Sequence, residues 1–142
     1  MSDPQPDWGD DATMRRILTT CHVVAVVGLS PQSWRDSYEI ADYLQQTGYR
    51  IVPVNPSAEV ILGERVFPSL RDIPFSVDLV NVFRRSEFVM EHTREAIAIG
   101  AKALWLQLHV IDEAAAQLAH DAGLDVVMDR CVKVEHQRLL GM

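Results

Sequence analysis

The chain has 142 residues, 48% of them hydrophobic and 23% charged, a composition that describes one soluble globular domain whose core needs no disulfide or structural metal. Thirteen Lys and Arg stand against 20 Asp and Glu, a formal charge of −7 that opposes an extended polyanion and argues against nucleic acid as a partner. The longest apolar run near the start, Val23 to Val27, is far short of the roughly 20 residues of a membrane span, and the acidic first residues lack a secretory signal.

The expectation is therefore a cytoplasmic chain with no membrane contact, in which Cys21 and Cys131 are reduced thiols. Ser2 to Asp11 holds two Pro, one Gly, four Asp and a single large apolar residue, Trp8. Such a composition predicts a flexible acidic tail over residues 1–11 and a folded domain over 12–142. Met14, Ile17, Leu18 and Cys21 then follow the i, i+3, i+4, i+7 pattern of a short amphipathic helix. His22 to Val27 is a continuous β-branched run ending at Gly28, the pattern of a strand buried on both faces. Four more such runs follow, at Tyr49 to Val54, Val77 to Phe83, Ala101 to Gln107 and Leu124 to Met128.

Helical stripes separate these runs. Ser37, Ile40, Ala41 and Leu44 make one, closed at Gly48; Val89, Ala96 and Ile97 make another, closed at Gly100. Ile111, Ala114, Ala115, Leu118 and Ala122 make a third, with Asp112 as its N-cap and Gly123 at its end. Asn55 to Ser76 breaks the alternation with Pro56, Gly63, Pro68 and Pro74, and reads as a long connection with an extended piece at Arg65 to Phe67 and one helical turn at Ser69 to Asp72. Strands alternating with helices predict an α/β fold, a doubly wound, five-stranded, mainly parallel sheet with helices on both faces. Sheets of this kind bind ligands outside the carboxyl ends of their strands, at the switch point.

The residues just after each strand therefore carry the functional reading. Gly28, Leu29 and Ser30 lead through Arg35 into a helix beginning near Ser37, an arrangement of close backbone, hydroxyls, a fixed cation and a helix N-terminus that suits an anion. The alternative is that Gly28 merely turns the chain and Ser33 or Asp36 caps the helix. Val54, Asn55 and Pro56 end the second strand; a nicotinamide-binding sheet usually has Asp or Glu at this place, and Asn55 does not repel a phosphate. Val82, Phe83 and Arg84 end the third strand, giving a flat ring and a guanidinium suited to bidentate phosphate contact. The fourth and fifth strands end at Gln107-Leu108-His109 and Asp129-Arg130-Cys131. His109 lacks a paired nucleophile, and Asp129 with Arg130 reads as an ion pair or a turn brace. No metal-ligand spacing, no phosphate loop of the GxxxxGK[ST] type and no GxSxG is present.

Gly28-Leu29-Ser30, Ser37-Tyr38, Gly48-Tyr49-Arg50, Val52-Pro53-Val54-Asn55-Pro56, Val82-Phe83-Arg84-Arg85, Trp105-Leu106-Gln107 and Met128-Asp129-Arg130-Cys131 stand in an order that resembles the single-domain CoA-binding proteins. These are similar to the CoA-binding domain of the succinyl-CoA synthetase alpha subunit. The resemblance covers about residues 12 to 140 and implies a Rossmann-like fold holding coenzyme A or an acyl-CoA. It implies that Gly28, Leu29 and Ser30 meet the phosphates, that Val54, Asn55 and Pro56 line the nucleotide end, and that Val82, Phe83 and Arg84 flank adenosine or pantetheine. Asp36 departs from the pattern, standing where relatives often have Pro.

The expected function is non-catalytic binding of CoA or a CoA thioester, with no metal and no activity of its own. Two alternatives stay open: an NADP-dependent oxidoreductase-type module, and an interaction protein whose nucleotide pocket is vestigial. A homodimer, formed at the sheet ends or through Val132 to Leu140, or an unknown protein partner is compatible with the sequence.

Overall fold

The computed structural model describes residues 7–141. Its elements run α1 (Asp11–Thr20), β1 (Val23–Val27), α2 (Asp36–Gln46), β2 (Arg50–Val54), a hairpin of β3 (Val60–Ile61) and β4 (Glu64–Arg65), β5 (Leu79–Val82), α3 (Val89–Ala98), β6 (Ala103–Leu106), α4 (Glu113–Asp121), β7 (Asp125–Val127) and α5 (Val132–Leu139). The main sheet has five strands in the order β2-β1-β5-β6-β7, every neighbouring pair parallel. The doubly wound α/β fold is thus as the strand and helix patterns predict.

Burial explains the continuous apolar runs. Val24 and Val26 of β1 face one layer, with Met14, Ile17, Leu44, Trp105 and Val132, while Ala25 and Val27 face the other, with Val89, Ala96, Ala115 and Ala119. Side chains alternate across a strand, so a strand covered on both faces must be apolar at every position. Helices α1, α2 and α5 cover the first face; α3 and α4 cover the second. Pro53 is tolerated because β2 is the last strand of the sheet. Its outer side is not bare: the Phe67 N–H donates to the Pro53 carbonyl and the Asn55 N–H to the Phe67 carbonyl, each at 3.0 Å. The connection from residue 55 to 76 thereby caps an edge that would otherwise invite pairing with another chain.

Asp78 pins the far end of the sheet. Its carboxylate accepts the His22 and Val23 N–H groups at 2.9 and 3.0 Å and lies 3.3 Å from Lys102 Nζ. Burial alone would raise its pKa, but these donors outweigh it and hold the carboxyl below its ordinary value.

Trp8 and Asp10, expected within the flexible tail over residues 1–11, are held against the domain. Trp8 is 9% exposed, its indole N–H donates to Glu113 at 2.9 Å, and its carbonyl accepts the Met128 N–H at 2.8 Å. Asp10 caps α1 by accepting the Thr13 N–H at 3.0 Å. An indole with a partner for its N–H gives enough burial to tie the segment down, whatever the charge around it. Residues 1–6 of the expected tail lie outside the described residues. The Val132 to Leu140 segment, considered above as a dimer surface, forms α5. Its Val132 and His136 are buried within the chain, His136 against Tyr43 and Tyr49, while Val134 faces outward. Among the described residues, no helix is long and apolar enough to cross a membrane.

Candidate functional site

The chain leaves β1 toward β2 on one side and reaches β5 on the other, so the sheet's switch point lies at the carboxyl end of β1. There Gly28 has φ 84°, and a Cβ built on it would collide with the carbonyl oxygen of Phe83, the residue that follows β5. Only glycine fits both the left-handed backbone and the contact. Its N–H donates to the Val54 carbonyl at 3.0 Å and the Phe83 N–H to the Val27 carbonyl at 2.9 Å, which together lock the ends of β1, β2 and β5.

Beyond Gly28 a network of short hydrogen bonds shapes the loop. The Ser30 N–H donates to Ser37 Oγ at 3.0 Å, and the Gln32 N–H to Ser30 Oγ at 3.1 Å. Asn55 Nδ2 donates to the Leu29 carbonyl at 3.0 Å while its Oδ1 accepts the Ser57 N–H at 2.7 Å. Asn55 is therefore a brace between the ends of β1 and β2, and Ser37 is a brace between the loop and α2. No side chain caps α2: Arg35 occupies the N-cap position, extended at φ −80° and ψ 145°. Neither Ser33 nor Asp36 takes the cap, and among the described residues the N–H groups of Asp36 and Ser37 have no acceptor. An uncapped helix start with free N–H groups attracts anions.

These groups border a cleft of about 830 Å³, walled by Gly28, Ser30, Arg35, Asn55, Phe83 and Arg84. Pro31, Gln32, Trp34, Asp36, Ser37, Pro56 and Ser57 complete its rim. Arg84 lies over the Phe88 ring, 4.5 Å from its centroid, and neither Arg35 nor Arg84 has a carboxylate within 4.0 Å among the described residues. In a chain of net charge −7, two unpaired guanidinium groups on one cleft mark it as a place for negative charge. Asp36 is the one carboxylate on the rim.

Of the sequence-predicted residues, Leu29 and Val82 are wholly buried and present only backbone to this edge. Val54 borders a smaller recess of about 220 Å³ on the other side of Gly28, together with Arg84, His92 and Glu95. Trp34, 74% exposed at the cleft mouth, is the residue that no pattern singles out; its one signal is a large indole in a loop of Ser, Pro and Arg. Asp129 braces rather than pairs with Arg130: its carboxylate accepts the His109 N–H at 2.7 Å and lies 4.0 Å from that ring, whereas Arg130 donates to the Asp129 carbonyl at 2.8 Å.

Known proteins are similar to this chain in sequence and fold. A family model described as a CoA binding domain matches residues 22–137. The uncharacterized protein YneT of Bacillus subtilis (strain 168) is 38% identical over 125 residues, covering 88% of this chain and 93% of YneT. Acetate-CoA ligase (ADP-forming) II of Archaeoglobus fulgidus is 36% identical over 81 residues, 56% of this chain but only 12% of the ligase. Among solved structures, a hypothetical protein from Pyrococcus horikoshii OT3 superimposes with a TM-score of 0.91 at 39% identity, covering 99% of this chain and 100% of that one. A second, from Thermus thermophilus, gives 0.87 at 34% identity, covering 93% and 100%. With the family model spanning most of the chain and the same sheet in its relatives, this protein belongs to the CoA-binding domain family.

Proposed function

We propose that this chain binds coenzyme A or a CoA thioester in the cleft at the carboxyl ends of β1, β2 and β5, without carrying out bond chemistry of its own. The observation that carries the reading is the uncapped start of α2 facing a cleft that also holds Arg35 and Arg84, both free of carboxylate partners among the described residues. The diphosphate lies against the Asp36 and Ser37 N–H groups with Arg35 beside it. Arg84 takes a further phosphate or a carbonyl, and the flat faces of Phe83 and Trp34 flank the base and the pantetheine arm. Asn55 and Ser37 act one step back, by fixing the loop. Holding rather than turnover is favoured by the edge chemistry: among the described residues the one carboxylate within 4.0 Å of the His109 ring is Asp129, and that carboxylate is committed to a backbone N–H.

Thermal melts test the reading. A ligand at 100 times its dissociation constant stabilises by about 2.7 kcal/mol, which at this length raises the midpoint by roughly 10 °C. CoA or acetyl-CoA is expected to do this and NAD is not. A shift with NADP but none with any CoA species would establish the oxidoreductase-type alternative instead.

A further inference from the structure

A second chamber, of about 430 Å³, opens at the ends of β5 and β6. It shares Asp36, Phe83 and Arg84 with the anion cleft, so the two form one groove along the carboxyl edge of the sheet. Ile40, Leu108 and Val110 give it apolar walls, Arg85 and His109 stand exposed at its mouth, and Gln107 and Cys131 supply its inner polar atoms.

Gln107 is only 5% exposed, and its amide is oriented by its neighbours. Oε1 accepts the Asn81 side-chain N–H at 3.4 Å and the Val132 backbone N–H at 3.3 Å. Turned over, the amide would set its own N–H groups against those two donors. Nε2 therefore lies on the chamber side, and no described residue accepts from it. Asn81 Oδ1 is the buried side-chain polar atom left without a partner among the described residues, so Nε2 itself is open to the chamber, and a donor fixed in place at a chamber wall is available to a ligand acceptor.

We propose that the chamber takes the acyl end of a CoA thioester and that Gln107 Nε2 donates to the thioester carbonyl oxygen. This rests on the reading of the cleft as the phosphate end of the site, and deepens it by selecting a thioester over free CoA. A thioester carbonyl is a good acceptor, whereas the neutral thiol of free CoA is a weak one that leaves the amide donor unfilled. The apolar walls suit a short alkyl group beyond that carbonyl, and they gain burial that a bare thiol does not supply. No bond forms or breaks: Gln107 reads the ligand.

Calorimetric titration of the unmodified protein with adenosine 3′,5′-bisphosphate, CoA and acetyl-CoA provides the test. Acetyl-CoA is expected to bind about fivefold more tightly than CoA, the worth of one added hydrogen bond. Gln107→Met removes the donor at similar length and adds no charge to the groove, so it abolishes the preference for acetyl-CoA and leaves the bisphosphate affinity unchanged. Alkylation of Cys131 by iodoacetamide reads occupancy without any variant, since Cys21 is 2% exposed. Saturating acetyl-CoA slows it and saturating bisphosphate does not. Equal affinities for CoA and acetyl-CoA, or equal alkylation rates under the two ligands, would overturn the thioester assignment while leaving CoA binding intact. Failure of all three ligands to bind would overturn the cleft reading as well.

Discussion

Gly28→Ala is the sharpest perturbation of the site. A methyl group there meets two penalties: left-handed backbone at φ 84°, and collision with the Phe83 carbonyl oxygen, which belongs to the main chain and cannot swing aside. The first costs an L-residue about 1–2 kcal/mol, and the shift of β1 against β5 forced by the second about 1–3 kcal/mol. Together they amount to about 2–5 kcal/mol, or a fall in the melting midpoint of roughly 8–20 °C at about 4 °C per kcal/mol. Gly48→Ala is the matched control, because its φ is 107° but nothing lies within 4 Å of its added Cβ. It carries the backbone penalty alone, so its midpoint falls by only about 4–8 °C. The ligand-induced stabilisation also separates them: intact in Gly48→Ala, sharply reduced in Gly28→Ala, whose cleft floor has moved. Equal midpoints for the two variants would refute the argument that the β1 and β5 ends meet too closely for a side chain.

Arg84→Ala removes a guanidinium with no carboxylate partner, so the unliganded midpoint falls by no more than about 4 °C, the worth of its contact with Phe88. CoA affinity falls by about 10- to 100-fold in calorimetry; an unfolded apo variant would instead make Arg84 a structural residue. Trp8→Ala costs about 3–5 kcal/mol in denaturant unfolding, since it empties a buried site; a loss under 1 kcal/mol would restore the mobile-tail reading. His136 titrates with a pKa that burial pushes below its ordinary 6.5. The unfolded chain therefore takes the proton first, so the stability His136 contributes is whole above 6.5 and is lost as pH falls from there through the depressed folded value. Midpoints measured across that range in the native protein and in His136→Gln should diverge, the variant showing the shallower fall; parallel curves would refute it.

The sheet was legible because its strands are buried on both faces, and burial writes itself into sequence as unbroken runs such as Val23 to Val27. Their ends were less sharp: Val77 and Phe83 extend the apolar run beyond β5, which spans only Leu79–Val82, because apolar packing continues after ladder pairing stops. The burial of Trp8 is not legible, for the opposite reason. Its partners, Glu113 and Met128, lie more than a hundred residues away, and local composition carries no trace of them. At the site, position was readable and role was not. Asn55 does stand at the cleft, but both ends of its amide are spent on Leu29 and Ser57. Leu29 and Val82 flank the site while their side chains fill the core. Gln107 carries no binding signal in the sequence, since its significance lies in which of its amide atoms is already taken.

If CoA occupies the groove built on the uncapped start of α2, a backbone amide map reports on it directly. In nuclear magnetic resonance spectra of the isotopically labelled protein titrated with CoA, the amides of Gly28, Ser30, Asp36, Ser37 and Arg84 should shift most, saturating together at one ligand per chain. Those of α4 and β7's outer edge should hold still. Shifts confined to another face would place CoA elsewhere, and spectra unchanged at saturating CoA would show that the groove does not hold it.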